Sequence, residues 1–184
     1  MESFFASLST VAVAEIGDKT QLLSLLLTLK FRNKLAIVAG ILAATIVNHA
    51  LSAGVGVWLA QFFQSSVGQS IIAFSFIALG VWLLIPDKDE ESDSRFDRYG
   101  PFIATTILFF IAEIGDKTQI ATVLLGTQYQ SLVWVTLGTT LGMLLANVPV
   151  VVYGEKLMQR IPFAAVHQLA AALFIVIGLY WLVF

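Results

Sequence analysis

Six long apolar stretches, each close to the length that crosses a bilayer, fix what this 184-residue chain can fold into. A helix needs about 20 apolar residues to span the hydrocarbon core, where no water is present to satisfy an open backbone. The candidate spans are Phe4–Leu29, Leu35–Phe63, Val67–Ile85, Phe102–Leu125, Leu132–Tyr153 and Phe163–Phe184. The chain is 58% hydrophobic and 12% charged, about half the charge of a soluble domain. An all-α integral membrane protein of six transmembrane helices is the fold class this implies, with no room for a soluble domain. Pro101 and Pro162 fall where helices would begin, and Pro149 should kink the fifth span. The first stretch is too long for a signal peptide and no basic residue precedes it, so it is expected to stay in the mature protein.

Composition excludes several functions. The net charge is −2 with no basic cluster, which argues against nucleic-acid binding. There is no cysteine, hence no disulfide, thiolate metal site or cysteine nucleophile. No nucleophile–base pair or cofactor motif is present, so an enzyme is not expected and no cofactor is implied. The lysines and arginines outside the spans are Lys30, Arg32, Lys34, Lys88, Arg95, Arg98, Lys156 and Arg160. With six spans they all fall on one side of the membrane, while both termini and the loops near Gln64 and Gln128 carry none. Cytoplasmic loops hold the excess of Lys and Arg, so both termini are expected outside the cytoplasm. The acidic stretch Asp87–Arg98 would then be a cytoplasmic linker, or a weak regulatory cation site.

The chain is also a duplication. Ala14–Gln21 reads AEIGDKTQ, and Ala112–Gln119 reads the same eight residues 98 positions later. The same offset, without a gap, pairs Phe4 with Phe102, Gly40 with Gly138, Gly56 with Gly154, Ile77 with Ile175 and Gly80 with Gly178. The expected units are therefore a first three-helix repeat over 1–86, a linker over 87–100 and a second repeat over 101–184. Three spans are an odd number, so the second repeat would enter from the opposite side. Inverted repeats of this kind build many secondary transporters, with the substrate site at the midplane where the repeats meet.

Glu15, Asp18, Lys19, Glu113, Asp116 and Lys117 fall inside the first and fourth spans. A charge at a helix centre costs about 2.5–3.5 kcal/mol on insertion scales, too much for six to be incidental. On a continuous helix Glu15, Asp18 and Lys19 share one face, and Glu15 and Lys19 are spaced to pair. Buried ion pairs that hold a bundle together are the bland reading. Two identical copies with excess acid favour a cation site instead. Four carboxylates and two ammonium groups leave −2, which one divalent cation or two protons would neutralise. The surrounding donors, including Thr20, Thr118, Gln21 and Gln119, are oxygens suited to Ca²⁺, Mg²⁺ or Mn²⁺. Gly17 and Gly115 either unwind the helix or permit close packing. His49 stands opposite Asn147 in the repeat and could relay a proton, bias the site toward Mn²⁺, or only bond between helices. Asn48 is a weaker candidate, and His167 reads as interfacial, as do Trp82, Trp134, Tyr180 and Trp181.

Two E-x-G-D-K-T copies in a six-span chain resemble the Gdt-type cation/proton exchanger family. The resemblance implies that Glu15, Asp18, Glu113 and Asp116 are cation ligands, with Lys19, Thr20, Lys117 and Thr118 as motif members in support. Members include organellar Ca²⁺/Mn²⁺ transporters and bacterial manganese exporters. The short chain looks bacterial, which implies Mn²⁺ export across the inner membrane in exchange for protons. The rival readings are a Ca²⁺/H⁺ antiporter, a Na⁺-coupled exporter, and a non-transporting membrane sensor or scaffold. Oligomeric state is open.

Overall fold

A computed structural model of the chain describes residues 1–85, 94–159 and 162–183. Most of the acidic stretch expected as a linker, together with Arg160, lies outside the described residues. Those described fold as helices: α1 (Glu2–Ala14), α2 (Lys19–Phe31), α3 (Lys34–Ala60), α4 (Ser66–Leu83), α5 (Gly100–Glu113), α6 (Lys117–Tyr129), α7 (Leu132–Tyr153), the single turn α8 (Glu155–Met158) and α9 (Phe163–Val183). A 3₁₀ segment, Ser94–Tyr99, leads into α5, whose second residue is Pro101. Four helices, α3, α4, α7 and α9, are long and apolar enough to cross a membrane. The chain is a multi-pass membrane protein. Consistent with lipid around it, Leu51, Trp58, Ile71, Leu145, Leu169 and Val176 are exposed on the perimeter.

The first and fourth expected spans are not continuous helices. Each is two helices with a break at the octapeptide, α1–α2 and α5–α6. The continuous helix expected to carry an i, i+4 pair of Glu15 and Lys19 is therefore absent, since Glu15 caps α1 and Lys19 opens α2. The repeat also shows in how the pieces end. Arg32 closes α2 and Gln130 closes α6, both left-handed, at φ 56° and 48°. Pro149 lies within α7, which runs unbroken from Leu132 to Tyr153.

Phe4 meets Trp134 edge-on at 6.2 Å and Tyr129 meets Trp181 at 6.3 Å, gathering the start of α1, the α6–α7 turn and the end of α9 at one end. At the other end Lys34 donates to the Val152 carbonyl at 2.7 Å, tying the start of α3 to the end of α7. Apolar packing between these ends forms two clusters. One centres on Phe76 and Phe174, the other on Val11, Ile41, Phe109 and Met143.

Small residues let the backbones touch, as membrane helices require. A Cβ on Gly80 would lie 2.8 Å from the Ala171 carbonyl, and one on Gly178 would lie 2.6 Å from the Ala73 carbonyl. Gly40 packs against Phe102 and Thr105, and Gly138 against Phe4 and Ser7. Each contact recurs with both partners moved by 98 residues.

Candidate cation site

The octapeptide is a helix stop and a helix start written side by side. Glu15 caps the C-terminus of α1, Gly17 turns the chain at φ +91°, and Asp18 caps α2 in extended geometry at φ −78°, ψ 163°. An aspartate accepts the orphan N–H groups of a first turn, and here the Asp18 carboxylate accepts from the Thr20 amide at 3.4 Å. The second copy repeats the turn and the aspartate cap, although α5 runs one residue further, to Glu113. Gly115 sits at φ +75° and Asp116 at φ −77°, ψ 162°, accepting from the Thr118 amide at 3.3 Å. Glycine is needed at both turns because a left-handed backbone crowds a Cβ against the carbonyl. Of the two roles open to these glycines, both adopt unwinding, and Gly17 also permits the close approach of Phe163 and His167.

The glutamine that ends each copy closes the break. The Gly17 amide donates to Gln21 Oε1 at 2.9 Å, and the Gly115 amide to Gln119 Oε1 at 2.7 Å. Those amide oxygens, expected as possible ion donors, serve the turn. Gln21 also donates through Nε2 to the Ala146 carbonyl of α7 at 2.8 Å, linking the first break to the other half.

The two breaks bring acids from both halves together. Glu15, Glu113 and Asp116 each offer an oxygen within 4.8 Å of the others, and all three are buried. The Thr20 hydroxyl donates to Glu15 Oε2 at 2.7 Å, and the Thr118 hydroxyl approaches Glu113 Oε2 at 3.2 Å and Asp116 Oδ2 at 3.1 Å. The other glutamate oxygen, Oε1 of both Glu15 and Glu113, is buried with no hydrogen-bond partner among the described residues. Leaving such an acceptor dry and unmatched is costly. Both glutamates that carry such an oxygen belong to the three-acid grouping. Asp18, expected as a fourth ligand, is buried but stands outside this grouping.

The lysines divide unequally. Lys19 Nζ lies 3.4 Å from Asp116 Oδ1, across the halves, while Lys117 Nζ donates to the Ile85 carbonyl just beyond α4 at 2.6 Å. Asn48 donates to the Phe110 carbonyl of α5 at 3.2 Å. Asn147 accepts from the Ser24 hydroxyl at 2.8 Å and donates to the Met143 carbonyl at 3.2 Å, so it ties α7 to α2. His49 is fully buried, and neither ring nitrogen has a partner among the described residues. The role of Ser24 was missed in the sequence, although Thr20, Ser24 and Thr28 mark a polar stripe at four-residue spacing. His167 does more than face an interface: its ring rests against Gly17.

A cavity of about 400 Å³ adjoins the first break, lined by Ile16, Gln21, Ala146, Pro149, Leu157 and Val166. It lies on the α8 side. The seams flanking the site differ. Between α3 and α6 the backbones touch, with a Cβ on Gly56 only 2.2 Å from the Val123 carbonyl and one on Gly126 2.7 Å from the Ala53 carbonyl. Between α7 and α2, a Cβ on Gly154 would meet only Leu25, at 3.8 Å.

A family model described as divalent cation/proton antiporter GDT1 matches residues 3–91 and 101–184. The chain belongs to that family. A protein of Vibrio cholerae serotype O1 that carries the provisional name of manganese exporter is 50% identical over 174 residues, covering 94% of this chain and 86% of the relative. "GDT1-like protein 4" of Oryza sativa subsp. indica is 28% identical over 200 residues, covering 95% of this chain and 70% of its own length. "GDT1-like protein 5" of Arabidopsis thaliana is 25% identical over 217 residues, covering 97% and 94%. No solved structure matches. Membership makes the protein a transporter of the cation/proton antiporter class and not an enzyme.

Proposed function

We propose that the protein exports Mn²⁺ from the cytoplasm in exchange for protons, with Glu15, Glu113 and Asp116 as the ligands of the transported ion. The observation that carries this reading is the convergence of those buried acids from both halves, with two glutamate oxygens unmatched. Three carboxylates and the Lys19 ammonium sum to −2 when all are ionised. One divalent cation balances that charge, as do two protons, so the loaded and protonated sites carry equal charge. Metal binding then releases protons, and protons displace metal. The choice of Mn²⁺ is supported by the name of the Vibrio cholerae relative. The all-oxygen cluster suits Ca²⁺ equally, which makes Ca²⁺/H⁺ exchange the second reading.

The architecture that serves this exchange is six spans, arranged as two inverted repeats over 1–86 and 101–184 joined by an acidic linker over 87–100. The glycine contacts recurring at an offset of 98 residues support it, as does the break at the same place in each half. The eight basic residues support a linker and α8 in the cytoplasm of a bacterial cell, with both termini outside its inner membrane. The cavity beside Gln21 is then a cytoplasmic vestibule, and the tight α3–α6 seam closes the outer side. Rocking of the halves would exchange the two seams. Asp18, Lys19, Lys117, Thr20 and Thr118 shape the breaks, and Asn48, His49 and Asn147 lie on the helices that flank them.

The test is Mn²⁺ and Ca²⁺ uptake into proteoliposomes under an imposed pH gradient, with a pH dye inside. Metal movement coupled to opposing proton flow is the expected result, with Mn²⁺ preferred. Binding without flux would overturn the exporter and leave a sensor or scaffold.

A further inference from the structure

A second cavity, of about 380 Å³, opens between α1, α4, α6 and α9, at the end that gathers the start of α1 and the end of α9. Glu2 and Tyr129 line it near that end, and the buried side chains of Phe76 and Leu125 line it further in. Between them α1 contributes Ser9 and Thr10. Thr10 precedes Glu15 by five residues, about 7.5 Å along a helix. The cavity thus stops about one and a half turns of α1 short of the acid cluster. The other half does not repeat its polar lining. At the 98-residue offset Glu2, Ser9 and Thr10 correspond to Gly100, Ile107 and Leu108, and Tyr129 corresponds to Phe31. Leu108 and Phe31 pack in the apolar cluster around Phe109. The duplication therefore accounts for the helices around this cavity and not for its carboxylate and hydroxyls.

The space is many times the roughly 30 Å³ that one water occupies in the liquid, and its polar groups can hold water there. Among the described residues lining it, Glu2 is the only charged one. A single negative charge in a cleft with low-dielectric walls raises the local concentration of cations, protons included. We propose that this cavity is the proton entrance of the exchanger, with Glu2 drawing protons into it and the Ser9–Thr10 face of α1 leading them to Glu15. The inference rests on reading the protein as a metal/proton exchanger with Glu15 in its site. Each proton passes from water to a carboxylate oxygen, so the step needs no other reactant. The turn of α1 beyond Thr10 separates this cavity from the cluster in the state described. That separation is what exchange requires, since a path open to both faces at once would dissipate the gradient. Protons and metal then use different flanks: this cavity on the side of the termini, and the one beside Gln21 on the α8 side.

The chain has no cysteine, so a single introduced thiol can be labelled without background. The experiment places Ser9→Cys or Ile107→Cys in the full chain in proteoliposomes and adds a charged, membrane-impermeant methanethiolsulfonate to both faces. Such a reagent needs a thiolate in contact with water. Ser9→Cys is expected to label, and its Mn²⁺/H⁺ exchange should fall to background relative to the same variant before labelling. Ile107→Cys, its counterpart in the other half, should stay unlabelled. Glu2→Gln is read at high external pH, where protons are scarce and their entry limits the rate. It should slow exchange about tenfold at low salt and match the wild type at about 1 M salt, where the Debye length is about 3 Å. The Mn²⁺ KM should not change, a combination that a packing role for Glu2 would not produce. A Ser9→Cys protein that exchanges Mn²⁺ for protons yet stays unlabelled overturns the entrance alone, and shows that lipid fills the cavity. Equal labelling of both thiols, labelling that leaves exchange intact, or a Glu2→Gln effect indifferent to salt also overturns it. Wild-type protein that moves no metal overturns the exporter and the entrance together.

Discussion

Some parts of the molecule repeat faithfully and others do not. The α4–α9 crossing is built twice from the same contacts, Gly80 on Ala171 and Gly178 on Ala73. So are the α3–α5 and α1–α7 crossings, through Gly40 and Gly138. The breaks share the glycine–glutamine and aspartate-cap hydrogen bonds residue for residue. Their surroundings diverge. Gly17 is roofed by Phe163 and His167 while Gly115 is open, and Gly56 and Gly126 bring the α3 and α6 backbones into contact while Gly154, on the α2–α7 side, has only Leu25 within 4 Å. The octapeptide thus dictates short-range geometry, and the outer halves of the broken helices settle differently around it. A repeated frame around an unequal pair of half-helices is what alternating exposure of one site requires.

The largest effect should come from the acids that both halves share. Glu15→Gln and Glu113→Gln each keep the side chain's size and its threonine hydrogen bond but remove a charge from the cluster. Metal/proton exchange in proteoliposomes is expected to fall to background in both, at equal protein level. Wild-type flux in either would reduce the cluster to a structural feature. Next is pH. Protons and metal compete for the same oxygens, so Mn²⁺ affinity must fall as pH falls. With Asp116 ionised beside Lys19, two protons released per metal give a change of about 100-fold per pH unit where both glutamates are protonated. A slope of about tenfold would mean that only one glutamate gives up a proton to the metal.

The aspartates divide the halves more sharply than the glutamates do. Asp116 lies in the cluster and faces Lys19, whereas Asp18 stands outside the grouping. Asp116→Asn is expected to raise the Mn²⁺ KM by on the order of 10–100-fold, the loss typical when a metal's supporting groups are removed. Asp18→Asn should move it only a few-fold, since an asparagine still caps α2. Equal losses would show that the halves contribute alike and that the observed inequality has no bearing on binding.

Much of this was legible in residue order. Apolar length placed α3, α4, α7 and α9, and the 98-residue offset exposed the duplication because eight identical residues left no choice of register. The four acids stood out because charge inside apolar helices is expensive, and three of them come together in the fold. Reading the first and fourth spans as continuous helices misplaced Lys19, although Gly followed by Asp is itself a helix end and a cap in adjacent residues. Apolar periodicity carries no trace of that pair, since both sides of the break remain hydrophobic. Asp18 fell outside the cluster and His167 fell against Gly17 for a different reason. Both depend on how α9 and the half-helices settle, and identical octapeptides cannot encode an unequal arrangement.

The glycines give the smallest effect and the most direct comparison of the two breaks. Both hold left-handed backbone, at φ +91° for Gly17 and +75° for Gly115, and alanine pays about 1–2 kcal/mol for that conformation wherever it occurs. At Gly115 the added methyl meets open space, so the backbone term stands alone and the thermal midpoint in detergent should drop by a few degrees. At Gly17 the methyl must also displace Phe163 and His167, whose atoms lie 2.7 and 2.9 Å from it. Gly17→Ala is therefore expected to melt lower than Gly115→Ala, by the cost of lifting the start of α9 off the break. Equal midpoints would mean that α9 yields freely there, and that the cover over the first break is loose rather than packed.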